Sequence, residues 1–169
     1  MDKQIILYTH SNEVEQILNG SKKYDFRNKL PKGLAINDVV NVYCTKAKPY
    51  LLYDNGKYIL VNEKKFRDSR LKCNGKIICQ FTVGEIYDRE NDFEEELMFA
   101  NDSPYSKVFF RGHLLDDKYD KELWEVFNGF CSEWSPSINW VKQGYIFQRY
   151  AIEITNLKIF DEPRELKKL

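Results

Sequence analysis

The chain has 169 residues, with 26 basic and 26 acidic side chains, a formal charge of zero, and 43% hydrophobic and 15% aromatic content. That composition supplies one domain with a real core, and the charge balance excludes a protein that coats duplex nucleic acid by bulk electrostatics. A small basic cleft for one nucleotide or a short single strand stays open, while most of the charges serve solubility.

Met1-Asp2-Lys3-Gln4 precedes only four apolar or aromatic residues, Ile5 to Tyr8. That is too short for a signal-peptide core and reads as a first strand. No stretch suits a membrane span, so a cytoplasmic setting without membrane partners is expected. Asn12 and Glu15 form a capping-box pattern around Val14, Ile17 and Leu18 at helical spacing, and Gly20 stops that helix. Lys23, Asp25 and Arg27 then alternate with Tyr24 and Phe26, the period of a strand with one buried face. Asp25 and Arg27 therefore share a face, and Lys22 sits at the corner where helix becomes strand.

Pro31-Lys32-Gly33 marks a turn before a buried strand from Val39 to Cys44. Tyr50 to Tyr53 and Lys57 to Val61 flank Asp54-Asn55-Gly56, a hairpin signal. Asn74-Gly75 opens a long strand in which Ile77, Cys79, Phe81 and Val83 share one face. The apolar phase breaks at Gly84 and puts Ile86 in the other register, which predicts a bulge or bend of the kind that closes barrels.

From about 88 to 145 the pattern changes. Phe93 to Ala100 and Asp116 to Asn128 are predicted helical, the second with Tyr119, Leu123, Val126 and Phe127 on one side and Gly129 as its stop. An irregular aromatic and polar stretch follows through Trp134 and Trp140. The whole reads as a mainly helical insertion over a β core. Strand returns from Tyr150 to Thr155, slips phase at Asn156 and continues with Leu157 and Ile159 before Pro163 and a charged tail. The predicted sum is a single α+β domain over 1–169 with a small curled or closed sheet.

Several residues carry chemistry. The four cysteines, Cys44, Cys73, Cys79 and Cys131, form no C-x-x-C pair, and His10 and His113 are the only histidines. No metal site and no cofactor are expected, and buried free thiols fit a reducing compartment. Lys22, Asp25 and Arg27 have two readings. They form an ion network that fixes the helix-to-strand corner, or they floor a cleft where the cations attract a phosphate or base carbonyl and Asp25 accepts from an exocyclic amine. Thr45 and Lys46, with Lys48 beyond, follow a core strand, either as contacts to backbone phosphates or as a plain exposed loop. Trp134 and Trp140 flank Ser135-Pro136-Ser137 and are candidate stacking platforms for an unpaired base, with Tyr145 and Phe147 nearby. Trp124, in a predicted helix, reads as core. His10 reads as a capping or packing residue, and as the titrating group if the protein is catalytic.

The spacing of Gly20, Lys22, Asp25 and Arg27 resembles the ASCH domains of the PUA-like superfamily, in which a helix ending in Gly-x-Lys precedes a strand with an acid and an arginine. Tyr8-Thr9-His10-Ser11, Val42 to Lys46 and Gly75 to Ile78 are similar to further family segments. Tyr150 to Leu166 resembles the ending of many bacterial and phage members. The likeness covers most of the first ninety residues and the last twenty, and leaves the stretch between unexplained. It implies a small PUA-like β-barrel with flanking helices, a cleft lined by the motif, and RNA- or nucleotide-related roles. Some small ASCH proteins deacetylate 4-acetylcytidine with a lysine, a threonine and a glutamate. Lys22 matches the lysine, but Asp25 stands at the threonine position, so the hydroxyl nucleophile is missing from its place.

Three functions follow. The first is an RNA- or nucleotide-binding module built on Lys22, Asp25 and Arg27, with Thr45, Lys46, Trp134 and Trp140 contributing. The second is a hydrolase of a modified nucleoside or of RNA, with Lys22 activating a nucleophile, Asp25 orienting it or acting as base, and His10 moving a proton. The third is a protein-interaction or regulatory domain that docks a partner through the 88–145 insertion.

Overall fold

The computed structural model describes residues 4–61, 72–132 and 148–166, with Cys131 and Ser132 described as backbone only. In chain order the elements are β1 (Ile5–Thr9), α1 (Ser11–Leu18), β2 (Tyr24–Arg27), β3 (Val39–Cys44), β4 (Tyr50–Asp54), β5 (Lys57–Val61), β6 (Ile77–Asp88), α2 (Arg89–Asp92), β7 (Phe93–Ala100), β8 (Ser103–Phe110), β9 (His113–Leu114), α3 (Lys121–Ser132) and β10 (Tyr150–Arg164). The class is α+β, as expected. Strands β1, β3, β6, β10 and β2, in that order, form a curled, mixed five-stranded sheet, a half-barrel. β1 runs parallel to β3, and β3 antiparallel to β6. Among the described residues no helix is long and apolar enough to cross a membrane. The chain separates into two compact units, one of Met1–Lys23, Pro31–Glu85 and Glu153–Leu169, the other of Tyr24–Leu30 and Ile86–Ile152.

In the first unit, β1 buries Ile5, Leu7 and Thr9 and turns Tyr8 outward, the two-residue period of a half-buried strand. α1 packs through Ser11, Val14 and Ile17. Its N-cap is His10 and not Asn12: the ring Nδ1 accepts from the Asn12 N–H at 3.2 Å, doing the work of a capping carboxylate or hydroxyl. At the other end Asn19 caps the helix and Gly20, at φ +80°, takes the left-handed conformation that ends it. β4 and β5 are joined by Asn55 and Gly56, both at positive φ, the two-residue turn their sequence demanded.

β6 buries Ile77, Cys79, Phe81 and Val83 as predicted, and Ile78 too, but it runs unbroken past Gly84. The expected phase break is not its reason for glycine. A Cβ there would lie 2.1 Å from Glu153 Oε1 and 2.9 Å from Thr155 Cγ2, so side chains from β10 fill the space over the glycine. Asn156, by contrast, has φ +49° inside β10, which accounts for the phase slip at that residue.

The second unit has an aromatic core of Tyr24, Tyr87, Phe93, Val108, Leu115, Val126, Phe130 and Ala151. The Phe93 ring lies 5.1–5.9 Å from those of Phe110, Phe127 and Phe130. Here the helical reading needs correction. Phe93–Ala100 is a strand, paired with β8 across Asn101 and Asp102 at φ +50° and +63°. Glu, Leu and Met favour a helix, yet a tight turn and a cross-strand partner outweigh that weak preference. α3 begins at Lys121 because Asp116 closes its own turn, accepting from the Lys118 N–H through Oδ1 and from Tyr119 and Asp120 through its carbonyl. Tyr119 is therefore off the packed face and 78% exposed. Gly129 does not stop α3 but lies within it. A Cβ at that point would meet the Phe26 ring at 2.3 Å, so the glycine admits an aromatic from β2.

Candidate functional site

In the first unit, the loop after β3 gathers cations and aromatic rings on a fixed backbone. The Asn74 side-chain amide donates to the carbonyls of Thr45, Ala47 and Pro49 at 3.0–3.2 Å, and its oxygen accepts from the Leu51 N–H at 2.9 Å. The Ser11 hydroxyl donates to the Pro49 carbonyl at 2.6 Å, and His10 Nε2 lies 3.1 Å from the Lys48 carbonyl. The Lys48–Pro49 peptide bond is cis. With the carbonyls held from beneath, Lys46 and Lys48 are exposed, and Thr45 is half-buried with its N–H on the Thr9 carbonyl.

Aromatic rings border these cations. Tyr8 and Tyr43 are paired across β1 and β3, with ring centroids 5.1 Å apart, edge to face, and Tyr8 is 58% exposed. The stem of Lys46 and the Tyr43 hydroxyl both come within 3.4–3.7 Å of where a Gly75 side chain would begin. Lys72 Nζ sits 4.3 Å from the Tyr50 ring centroid, and Lys48 Nζ lies 6.0 Å from it. Lys76 ends 3.9 Å from Glu165. Such a surface offers phosphate-binding ammonium groups beside faces on which a base can stack.

The charged motif is arranged differently. Lys22 is largely buried and ends 3.6 Å from Glu13, one turn into α1. In the second unit, Arg27 Nε donates to Asp25 Oδ2, so these two do share a face as the strand period required. Asp25 is only 1% exposed. On the opposite face Tyr24 and Phe26 enter the aromatic core, with Phe26 edge-on to Phe130 at 5.1 Å. The described ion pairs thus join Lys22 to Glu13 and Arg27 to Asp25. The Arg27 carbonyl also accepts from the Arg149 N–H at 3.1 Å. Arg149 in turn forks onto both oxygens of Asp88, at 2.9 and 3.0 Å, and reaches Glu90 at 3.2 Å. Burial alone would raise the Asp88 carboxyl, but the hydrogen bonds from Arg149, Asn91 and the Glu90 N–H outweigh it and hold Asp88 below its ordinary value.

His10 is where a capping residue should be, and both ring nitrogens already face backbone groups. Trp124 is half-buried and packs edge-on to Phe127 at 5.8 Å, as a core residue. Trp134, Trp140, Tyr145 and Phe147 lie outside the described residues. No group of three potential metal ligands occurs among the described residues. Cys44, Cys73 and Cys79 are buried, and burial pushes each thiol up to about 12.

Sequence reasoning chose Thr45 and Lys46 but passed over Tyr8, Tyr43 and Asn74. The outward phase of β1 was the available signal for Tyr8. Asn74 was legible only as half of an Asn-Gly turn, because its three carbonyl partners are set by tertiary structure. Comparison with protein-family models, curated proteins and solved structures gives no match.

Proposed function

We propose that this protein binds single-stranded RNA or a nucleotide on the face that carries the Thr45–Pro49 loop. The observation that supports it is the juxtaposition of exposed Lys46 and Lys48 with the rings of Tyr8, Tyr43 and Tyr50 on a backbone tied down by Asn74. A loop backbone held in place before binding loses less freedom when a phosphate arrives. The overall charge of zero suits a ligand of a few phosphates and not a long duplex. The spacing of Gly20, Lys22, Asp25 and Arg27 adds the ASCH-like expectation of an RNA-related, PUA-like module. In this reading Lys22, Asp25 and Arg27 serve the scaffold, and Thr45 and Lys46 the ligand. Hydrolysis has less support, since His10 is engaged at both nitrogens and the position for a hydroxyl nucleophile holds Asp25.

The test is a fluorescence-anisotropy titration with a labelled single-stranded oligonucleotide, in RNA and DNA versions, and with nucleoside triphosphates as competitors. Lys46→Ala with Lys48→Ala is expected to weaken binding about tenfold or more at low salt and to flatten the log–log salt slope by about 1.4, the loss of two phosphate contacts. Tyr8→Ala is expected to cost about 1–3 kcal/mol if a base stacks there. Affinity unchanged by the double substitution would overturn the proposal, as would an absence of binding to any of these ligands.

A further inference from the structure

β7 and β8 pair from Phe93↔Phe110 to Ala100↔Ser103, a hairpin whose strands reach roughly 27 Å. Only its base is in the core, through Phe93 and Val108. Beyond them Leu97 is 62% exposed, Phe99 68% and Tyr105 42%. Residues directly opposite share a face. Leu97 and Phe99, with Pro104 across from Phe99, therefore extend the face by which Phe93 and Val108 enter the core, and carry it out into solvent. Glu95, opposite Val108, lies on that same face, and the other face bears Glu94, Glu96 and Met98 opposite Phe109, Lys107 and Tyr105. A two-stranded ribbon of this length is weakly held on its own, and apolar side chains in line on it are a contact surface awaiting cover.

The charges on the hairpin say what kind of cover. Glu94, Glu95, Glu96 and Asp102 stand against the single cation Lys107, for a net charge of −3 between residues 93 and 110. β7 is the edge of its three-stranded sheet among the described residues, so its outer backbone groups can accept another strand. A second copy of the same edge would add three more glutamates to the three already there. A strand with lysine or arginine opposite Glu94 and Glu96, and apolar side chains opposite Leu97 and Phe99, satisfies both faces at once, because these positions alternate.

We propose that this hairpin is a docking arm for an extended segment of a partner protein in which basic and apolar residues alternate, added as a fourth strand along β7. The proposal is independent of the ligand face in the first unit. To test it, a fluorescein-labelled peptide of alternating lysine and valine, about eight residues long to match the strand, is titrated into the full chain by anisotropy. Peptides with serine or glutamate replacing lysine run in parallel. The lysine peptide is expected to bind about tenfold or more tighter than either control and to weaken with salt. Leu97→Ser with Phe99→Ser, and separately Glu94→Lys with Glu96→Gln, are each expected to weaken it at least about tenfold without moving the thermal midpoint, since all four side chains are exposed. Three results would overturn the proposal: no binding, equal binding of lysine and serine peptides, or indifference to both hairpin variants. So would sedimentation showing a dimer that Leu97→Ser with Phe99→Ser converts to monomer, because the arm would then belong to a second copy.

Discussion

In the first unit the ammonium groups of Lys46 and Lys48 stand exposed while Asn74, Ser11 and His10 tie the carbonyls of their loop from below. In the second unit Arg27 and Arg149 turn their guanidinium hydrogens onto Asp25, Asp88 and Glu90. One arrangement fixes the backbone and leaves the charges exposed. The other uses the charges themselves as the fastening. A cation is thus informative about function only together with what holds it: the motif at 22–27 draws attention in the sequence, and its described ion pairs join Lys22 to Glu13 and Arg27 to Asp25.

The comparison can be broken most directly at Asp25. Asp25→Ala leaves Arg27 without the carboxylate it bonds in a buried setting, and is expected to destabilise the protein by about 3 kcal/mol in urea unfolding. Oligonucleotide affinity of the folded remainder should be unchanged. A variant of normal stability that loses binding would reverse the assignment of the two regions. Next in size is Asn74→Ala, which removes the donor shared by three carbonyls and the acceptor of the Leu51 N–H. It is expected to cost about 1–3 kcal/mol and to weaken oligonucleotide binding severalfold, by loosening the loop without removing a cation. Titrations that show no change there would separate loop rigidity from affinity.

The smallest effect sharpens the contrast through pH. Because Asp88 titrates below its unfolded value, the stability it lends is full above the ordinary carboxylate range and is lost as pH falls through its folded value. Asp88→Asn is expected to cost about 1 kcal/mol at neutral pH, in keeping with a part-exposed bidentate pair. The gap between wild type and variant should close as pH falls below the ordinary carboxylate range, followed by urea midpoints. A gap constant with pH would mean that packing, and not the ion pair, carries the difference.

Much of the first unit was legible because its signals are local. Gly20, Asn55-Gly56 and the helical spacing of Val14 and Ile17 each act within a few residues of themselves. The curled sheet was legible in the same way, from alternating strands and a phase slip at Asn156. The second unit defeated that reading where distant partners decide. Phe93–Ala100 carries helix-favouring glutamates but obeys its turn and the strand across from it. Gly129 is small because Phe26, a hundred residues earlier, needs the space. At the candidate site, the lysines were visible and their anchorage was not, since Asn74 reaches back 25–29 residues to the loop it holds.

The buried thiols make the chain its own stopwatch. Cys44, Cys73 and Cys79 hold their protons until about 12, so at neutral pH almost no thiolate meets an alkylating reagent while the first unit stays shut. With Cys131 replaced by serine, the pace at which iodoacetamide consumes the remaining sulfhydryls would read how often that unit opens, residue by residue by mass spectrometry. The same protons set an upper bound on alkali tolerance, because stability drains away once the medium passes the ordinary thiol range near 9 and climbs towards 12.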